Sequence, residues 1–428
     1  MKLNFLKNKE INNAGWLIGG KVFQMVLSLF VGILTARYLG PGNYGLISYA
    51  SSYIALFTAF CTLGINSVII KDFVDHPEEQ GKSIGTTIAL RAISSILSAI
   101  MILGIVSIVD KGEPETIAIV FLCSMALVFN IFDTINYWFQ SRYQSKITAI
   151  ATLIAYIVTS AYKIVLLILK KDIYWFAFAT SVDYICIAII LLIAYKIYNG
   201  QKFSFSMRKG KELLSKSYHY ILSGMMVAIY GQTDKLMLKQ MLDETSVGYY
   251  STATTVCAMW VFVLSAIIDS LYPTIIRLYN ENKNEQFERK NRQLYAIVFY
   301  VSVFVSVCFT LFGDIAIKIL YGEDYLGAIN PLKIVTWYTA FSYLGVARNA
   351  WIVCENKQKC LKYIYVCAAV LNVILNFIFI PIWGASGAAF ASLITQIFTS
   401  IILPSLIKPL RANSKLMIEA ILLKNTFK

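Results

Sequence analysis

Histidine is nearly absent: His76 and His219 are the only two in 428 residues, and they stand far apart. None of the eight cysteines forms a CxxC pair or a Cys/His ligand spacing. Cys61, Cys123, Cys186, Cys257, Cys308 and Cys367 fall inside apolar runs, and Cys354 and Cys360 flank a short basic loop. A metal centre or a Ser-His-Asp triad has little to build on, so the cysteines read as small buried apolar residues. Charge is scarce at 14% of residues, against 58% hydrophobic. A soluble domain has nowhere to hide that much apolar surface. The net charge of +14 does not point to nucleic acid, because the basic residues lie in short loops between hydrophobic runs. The first apolar run lacks a small-residue cleavage site and reads as a transmembrane helix, not a removable leader.

What is present is a series of apolar runs. A membrane span needs about 20 mostly apolar residues. Twelve stretches qualify, near 14–37, 44–70, 84–109, 115–139, 147–169, 173–195, 216–238, 247–273, 293–316, 331–353, 361–380 and 385–407. The expected fold is an all-α integral membrane protein of twelve transmembrane helices. Met417 to Leu423, in the tail, suits a short surface-lying helix. Even-numbered connections are basic, among them Lys71, Lys82, Arg142, Lys146, Arg277, Lys283, Lys357 and Lys362, whereas odd-numbered ones carry little. That asymmetry places both termini in the cytoplasm.

A weak repeat divides the chain. Leu39–Ala50 (LGPGNYGLISYA) aligns without a gap to Leu242–Ala253 (LDETSVGYYSTA), with Leu, Gly, Ser and Ala shared at an offset of 203. Ala177–Thr180 echoes Ala389–Ser392 at an offset of 212. The expected organisation is a six-helix lobe over 1–200, a cytoplasmic linker over 201–216, a second six-helix lobe over 217–409 and a cytoplasmic tail over 410–428. Six is even, so the repeat is parallel, and a substrate path belongs between the halves.

Lys21, Arg91, Lys163, Lys235 and Arg348 lie inside spans. A cation at membrane depth costs roughly 2.5–3.5 kcal/mol even on the lenient scale, so the set suggests an anion that binds or passes there. Snorkelling to the headgroups is the bland alternative for Lys21 and Arg91, and the favoured one for Lys163 and Arg348, which lie near span ends. Gln24 shares a face with Lys21, and Arg37 sits at the outer end of the first span. The seventh span is the most polar, with Gln232, Thr233, Asp234 and Lys235 together. Adjacent Asp234 and Lys235 point to different sides of a helix, so at least one must meet another helix. A structural interhelical bridge is one reading; the other is a lumen-facing site, where Asp234 takes a proton or Na⁺ and Lys235 helps to bind an anion. Asp133, Asn136 and Gln140 share a face of the fourth span, as do Asn372 and Asn376 in the eleventh, where interhelical hydrogen bonding is the default.

The segments TARYLGPGNYGLISYASSY, DKLMLKQMLDETSVGYYSTA and WGASGAAFASLITQI resemble signature segments of polysaccharide and O-antigen flippases, the Wzx-type members of the MOP exporter superfamily. The resemblance covers essentially the whole chain. It implies a MATE-like pair of six-helix lobes around a central cationic cavity. It further implies movement of undecaprenyl-diphosphate-linked oligosaccharide from the inner to the outer leaflet of the bacterial cytoplasmic membrane. Lys21, Gln24, Arg37, Arg91 and Lys235 are the candidates for diphosphate or sugar, and Asp234 is the coupling candidate. No cofactor is expected beyond a coupling ion, H⁺ or Na⁺. Expected partners are the lipid-linked oligosaccharide, membrane lipids and the polysaccharide polymerase machinery, with no nucleic acid. Two rivals remain. One is a multidrug cation antiporter of the same superfamily, which calls for an acidic, aromatic cavity. The other is a membrane polymerase or ligase, which the short outer connections disfavour.

Overall fold

In a bilayer the backbone has no water to bond with, so an apolar run must close its hydrogen bonds on itself. The computed structural model describes the backbone of residues 9–424 and 426, and side chains from Gln24 onward except Ser67, Leu222, Ser223 and Asn425. Every regular element among the described residues is helical. In order they are α1 (Lys9–Cys61), α2 (Ile65–Asp75), α3 (Gln80–Val109), α4 (Pro114–Phe129), α5 (Thr134–Ser141), α6 (Ser145–Ile168), α7 (Ile173–Ile197) and α8 (Met207–Met241). There follow α9 (Glu244–Asn280), α10 (Asn284–Leu320), α11 (Ile329–Ala347), α12 (Asn349–Cys354), α13 (Leu361–Trp383), α14 (Ala385–Ile397), α15 (Leu403–Leu406) and α16 (Arg411–Ile421).

Nine stretches among the described residues are long and apolar enough to cross a membrane by themselves. The twelve expected spans are all helical, because α1 holds two of them and because α8 and the α11–α12 pair match the seventh and tenth. Within α1, Gly40 adopts φ 73° and ψ 169°, a left-handed backbone that a side chain resists. Pro41 follows and brings no N–H, so the chain turns here between the first two spans.

The chain forms two compact units, Met1–Leu39 with Leu46–Ala228, and Gly40–Gly45 with Ile229–Lys428. The division falls inside α8, not in the polar linker. In the first unit that linker is strapped down. The Gly81 N–H donates to Gln201 Oε1 at 2.8 Å, Gln201 Nε2 donates to the Pro77 carbonyl at 2.9 Å, and the Ser206 N–H donates to Thr86 Oγ1 at 3.0 Å. Lys209, at the start of α8, is buried against Asp72 of α2 at 2.6 Å. Ser83 Oγ donates to the same carboxylate at 2.5 Å, and His76 Nδ1 lies 3.3 Å from it. An apolar cluster including Ile69, Phe73, Ile84, Trp138 and Phe139 underlies this region.

The second unit contains a very close helix approach. A Cβ built on Gly248 of α9 would lie 2.0 Å from the Pro41 carbonyl oxygen, and one on Gly45 1.8 Å from the Glu244 carbonyl oxygen. These are the two glycines that the sequence repeat aligns, and their shared identity has a packing reason: each admits the other segment's backbone. Further on, Phe398–Ile402 forms a π-turn between α14 and α15. Pro404 has no N–H to offer to the Ser400 carbonyl one turn back. The buried Arg348 guanidinium faces that carbonyl at 3.5 Å and the Thr399 carbonyl at 3.4 Å. The tail helix α16 does not lie free. Leu416, Met417 and Ala420 join a core cluster with residues of α9, α10 and α12, and Asn413 Nδ2 donates to Tyr295 Oη at 2.6 Å.

Candidate functional site

Asp234 is the centre of the most concentrated polar site described in the second unit. It lies on α8 and is 6% exposed. Its Oδ1 accepts from Asn372 Nδ2 at 3.1 Å and from Asn376 Nδ2 at 2.8 Å, both on α13. Its Oδ2 accepts from Ser392 Oγ of α14 at 2.6 Å and from the Tyr250 hydroxyl of α9. A carboxylate has about four acceptor positions, and here three other helices fill them. Each bond to an ionised acceptor contributes roughly 1.5–3 kcal/mol, which is how a carboxylate is tolerated at membrane depth.

The α13 residues sit one turn apart, so their amides form a ladder: Asn376 Nδ2 also donates to Asn372 Oδ1 at 3.1 Å. Asn376 Oδ1 is buried and accepts no hydrogen bond among the described residues. The site therefore holds the Asp234 oxygens, two amide oxygens, a serine hydroxyl and a tyrosine hydroxyl, one of the amide oxygens unengaged. An all-oxygen set with a carboxylate suits a hard monovalent cation or a proton.

Asp234 and Lys235 line one cavity of about 280 Å³, together with Tyr230, Tyr250, Tyr338, Tyr343, Thr254, Thr339, Ser342 and Ser392. Gln396 Nε2 donates to Tyr230 Oη at 2.6 Å and so fixes one wall. Lys235 lies within electrostatic reach of Asp234, yet no hydrogen bond or ion pair holds its ammonium among the described residues. The cavity thus combines one cation, one anion and an aromatic hydroxyl lining.

The other candidates belong to the first unit. Arg91 is buried at 1% exposed, where it donates to Thr134 Oγ1 at 3.0 Å and to Asn66 Oδ1, with the Tyr137 ring 5.8 Å away. Asp133 lies within electrostatic reach of Arg91. Gln24 is half-buried and Arg37 exposed, both on α1. Lys21 lies on α1 as well, but its side chain falls outside the described residues. Among the cations not chosen as site residues, Lys163 shares its surroundings with Asp183, and Arg348 rests on backbone carbonyls. Neither snorkels.

Sequence reasoning singled out Asp234 and Lys235 but missed Tyr250, Ser392, Tyr230 and Tyr338. Ser392 was within reach, because it ends the Ala389–Ser392 echo. The tyrosines carry no comparable signal: the chain has 27 of them.

Comparison with known proteins bears on what such a fold does. The family model described as "Polysaccharide biosynthesis protein" matches residues 11–279, and the MatE model matches residues 220–378. The chain is 22% identical over 398 residues to the "Capsular polysaccharide biosynthesis protein CapF" of Staphylococcus aureus, covering 90% of this chain and 96% of the relative. It is 22% identical over 390 residues to a "Putative O-antigen transporter" of Escherichia coli K12, covering 89% and 92%. Among solved structures, the lipid II flippase MurJ in an inward closed conformation superposes with a TM-score of 0.70 at 16% identity, covering 95% of this chain and 91% of that one. This last likeness establishes the fold. The chain belongs to the polysaccharide biosynthesis protein family, multi-pass membrane proteins of the MOP exporter superfamily.

Proposed function

We propose that the protein is a flippase that carries undecaprenyl-diphosphate-linked oligosaccharide from the inner to the outer leaflet of the bacterial cytoplasmic membrane by alternating access, driven by H⁺ or Na⁺ at Asp234. A diphosphate and its sugars cannot cross hydrocarbon unaided. The observation that carries the cargo class is similarity over about nine-tenths of the chain to relatives named for capsule and O-antigen. The oxygen-lined Asp234 site supports the coupling ion, and Lys235 in the same cavity supports an anionic cargo. Both termini face the cytoplasm in this reading, polymerase machinery takes the flipped unit at the outer leaflet, and the protein catalyses no covalent step.

Deletion of the gene followed by analysis of leaflet lipids tests the cargo. A prenyl-diphosphate oligosaccharide should accumulate on the cytoplasmic side, and wild-type protein should clear it. An unchanged lipid pool with intact surface glycan, in a strain with no second flippase, refutes the reading. One observation favours a second reading. The MatE match covers 220–378, and a tyrosine-lined cavity beside a carboxylate suits an organic cation. Efflux of a fluorescent organic cation by vesicles containing the protein, abolished by Asp234→Asn, would establish that alternative.

A further inference from the structure

Only Ile407 to Leu410 separate the end of the last membrane-crossing stretch, at Leu406, from the tail helix α16. Ile407 leaves the helix with φ −79° and ψ 108°, so the chain changes direction there. The tail then crosses α10. Asn413 bonds Tyr295, and Glu419 lies 3.1 Å from Arg292. The Ile421 carbonyl accepts from Tyr300 Oη at 2.7 Å, and the Thr426 carbonyl accepts from Gln293 Nε2 at 3.3 Å. The partners on α10 do not advance in step with the tail. All fall between Arg292 and Tyr300, about 12 Å of helix at roughly 1.5 Å per residue. A helix laid across the end of a spanning helix lies along the membrane surface and not through it. Tyr300 also opens an exposed stripe, Tyr300, Phe304, Val307 and Leu311, spaced four, three and four residues apart. That stripe is the apolar face that α10 turns to lipid, so α16 ends beside lipid.

The tail helix has two faces. Leu416, Met417 and Ala420 are buried in the core of the second unit. The outer face carries Arg411, Lys415, Ile418 and Leu422, again spaced four, three and four, and all exposed. Lys408 before it and Leu423 after it are exposed as well. No carboxylate pairs with Lys408 or Arg411 among the described residues. Lys415 stands 3.9 Å from Glu419, which Arg292 already engages. Cations therefore dominate the first half of this face and apolar side chains the second.

We propose that the outer face of α16 is a docking surface for anionic phospholipid. Lys408, Arg411 and Lys415 meet headgroup phosphates, while Ile418, Leu422 and Leu423 enter the acyl boundary. Long basic side chains suit that depth, because their methylenes stay in the interface while the charge reaches the phosphates. Apolar burial and attraction to anionic lipid act together in such a helix. An acidic soluble protein would match the cations but not the apolar half, which sits where the lipid-facing stripe of α10 begins. Because the inner face of α16 packs with α9, α10 and α12, lipid on the outer face steadies that end of the second unit.

The test is hydrogen exchange of the full-length protein in nanodiscs of phosphatidylcholine alone, or of an equal mixture with phosphatidylglycerol. Amides of α16 should exchange on the order of tenfold more slowly in the mixture, the effect of one or two cations drawn to an anionic surface. High salt should remove the difference. The turn Glu323–Ala328, beyond the other end of α10, carries no cation and should exchange alike in both lipids. Lys408→Gln, Arg411→Gln and Lys415→Gln together should abolish the response and leave exchange in phosphatidylcholine at the wild-type rate. The wild-type arms need no variant to fold. Equal exchange of α16 in the two lipids overturns the inference, and is the outcome for a surface that serves a soluble partner. A slowing shared by Glu323–Ala328, or one that survives in the triple variant, overturns it too.

Discussion

Alanine at Gly45 or Gly248 should strain the second unit by an amount that the geometry sets. The new methyl on Gly248 must move from 2.0 Å to at least 3.0 Å from the Pro41 oxygen, a displacement of 1.0 Å. On Gly45 the corresponding shift, from 1.8 to 3.0 Å, is 1.2 Å. The obstructing atoms are backbone, so no rotamer change relieves the contact. Overpacking of this kind costs about 1–3 kcal/mol. Alanine also gains about 1 kcal/mol over glycine as a helix former, which blurs a comparison with wild type. Gly104→Ala is the right reference: its position in α3 has nothing within 4 Å, so it takes the helical gain without the overlap. The difference between variant and reference should be about 1–3 kcal/mol. At roughly 2–4 °C per kcal/mol for a unit of 150–250 residues, the midpoint falls by several degrees. The assay is the fraction of monodisperse protein in detergent after heating. The double variant should fall by less than the sum, because separation forced by one methyl makes room for the other. Gly45→Ala and Gly248→Ala melting together with Gly104→Ala would refute the close approach.

Other substitutions probe separate parts of the molecule. Asp234→Ala leaves the Tyr250 and Ser392 hydroxyls without their acceptor at about 1–3 kcal/mol each, while the Asn372 and Asn376 amides keep Ser392 Oγ and Asn372 Oδ1, so its abundance in membranes should fall below that of Asp234→Asn, as read by immunoblot. Lys209→Met strands the buried Asp72 carboxylate and should destabilise by about 3–5 kcal/mol, while adding Asp72→Leu should recover part of the loss in the same heating assay. The exposed Glu212 carboxyl is held below the usual carboxylate range by its hydrogen bond from Lys216. Its stabilisation is therefore complete above the unfolded value and disappears as pH falls through the folded one. Being exposed, it is worth well under 1 kcal/mol, so Glu212→Gln should leave the acid limb of stability within error of wild type.

The spans were legible because hydrocarbon imposes one rule on every residue inside it. Their helices run past the apolar limits where the sequence turns polar: α8 starts at Met207 and α10 at Asn284, each about nine residues before the span that hydropathy marks. An apolar count stops at the interface, but a helix does not. The site was legible only in part. Asp234 and Lys235 stand out as charges in a span, whereas their neighbours are assembled from α9, α11, α13 and α14, up to 158 residues away in the chain. The cations were the least legible. Charge in a span marks Arg91, Arg348 and Lys235 alike, yet Arg91 settles on Thr134 and Asn66, Arg348 on the Thr399 and Ser400 carbonyls, and Lys235 lines a cavity. Which of these happens depends on neighbours that periodicity does not name.

The strapped linker has a practical consequence for anyone wishing to label or cut this protein. Residues 201–206 lie between the two sequence halves and look like the obvious place for a protease site or a fluorescent insert. Gln201, Ser204 and Ser206 are instead bonded to the α3 end of the first unit, and even a methyl on Gly81 or Gly85 would meet Lys202 or Ser204 backbone within 2.5 Å. Lys202 to Phe205 are exposed, but a protease would have to pull this strand out of the bonds that hold it before cutting. An insert there would report on the damage that it had done to the first unit and not on transport.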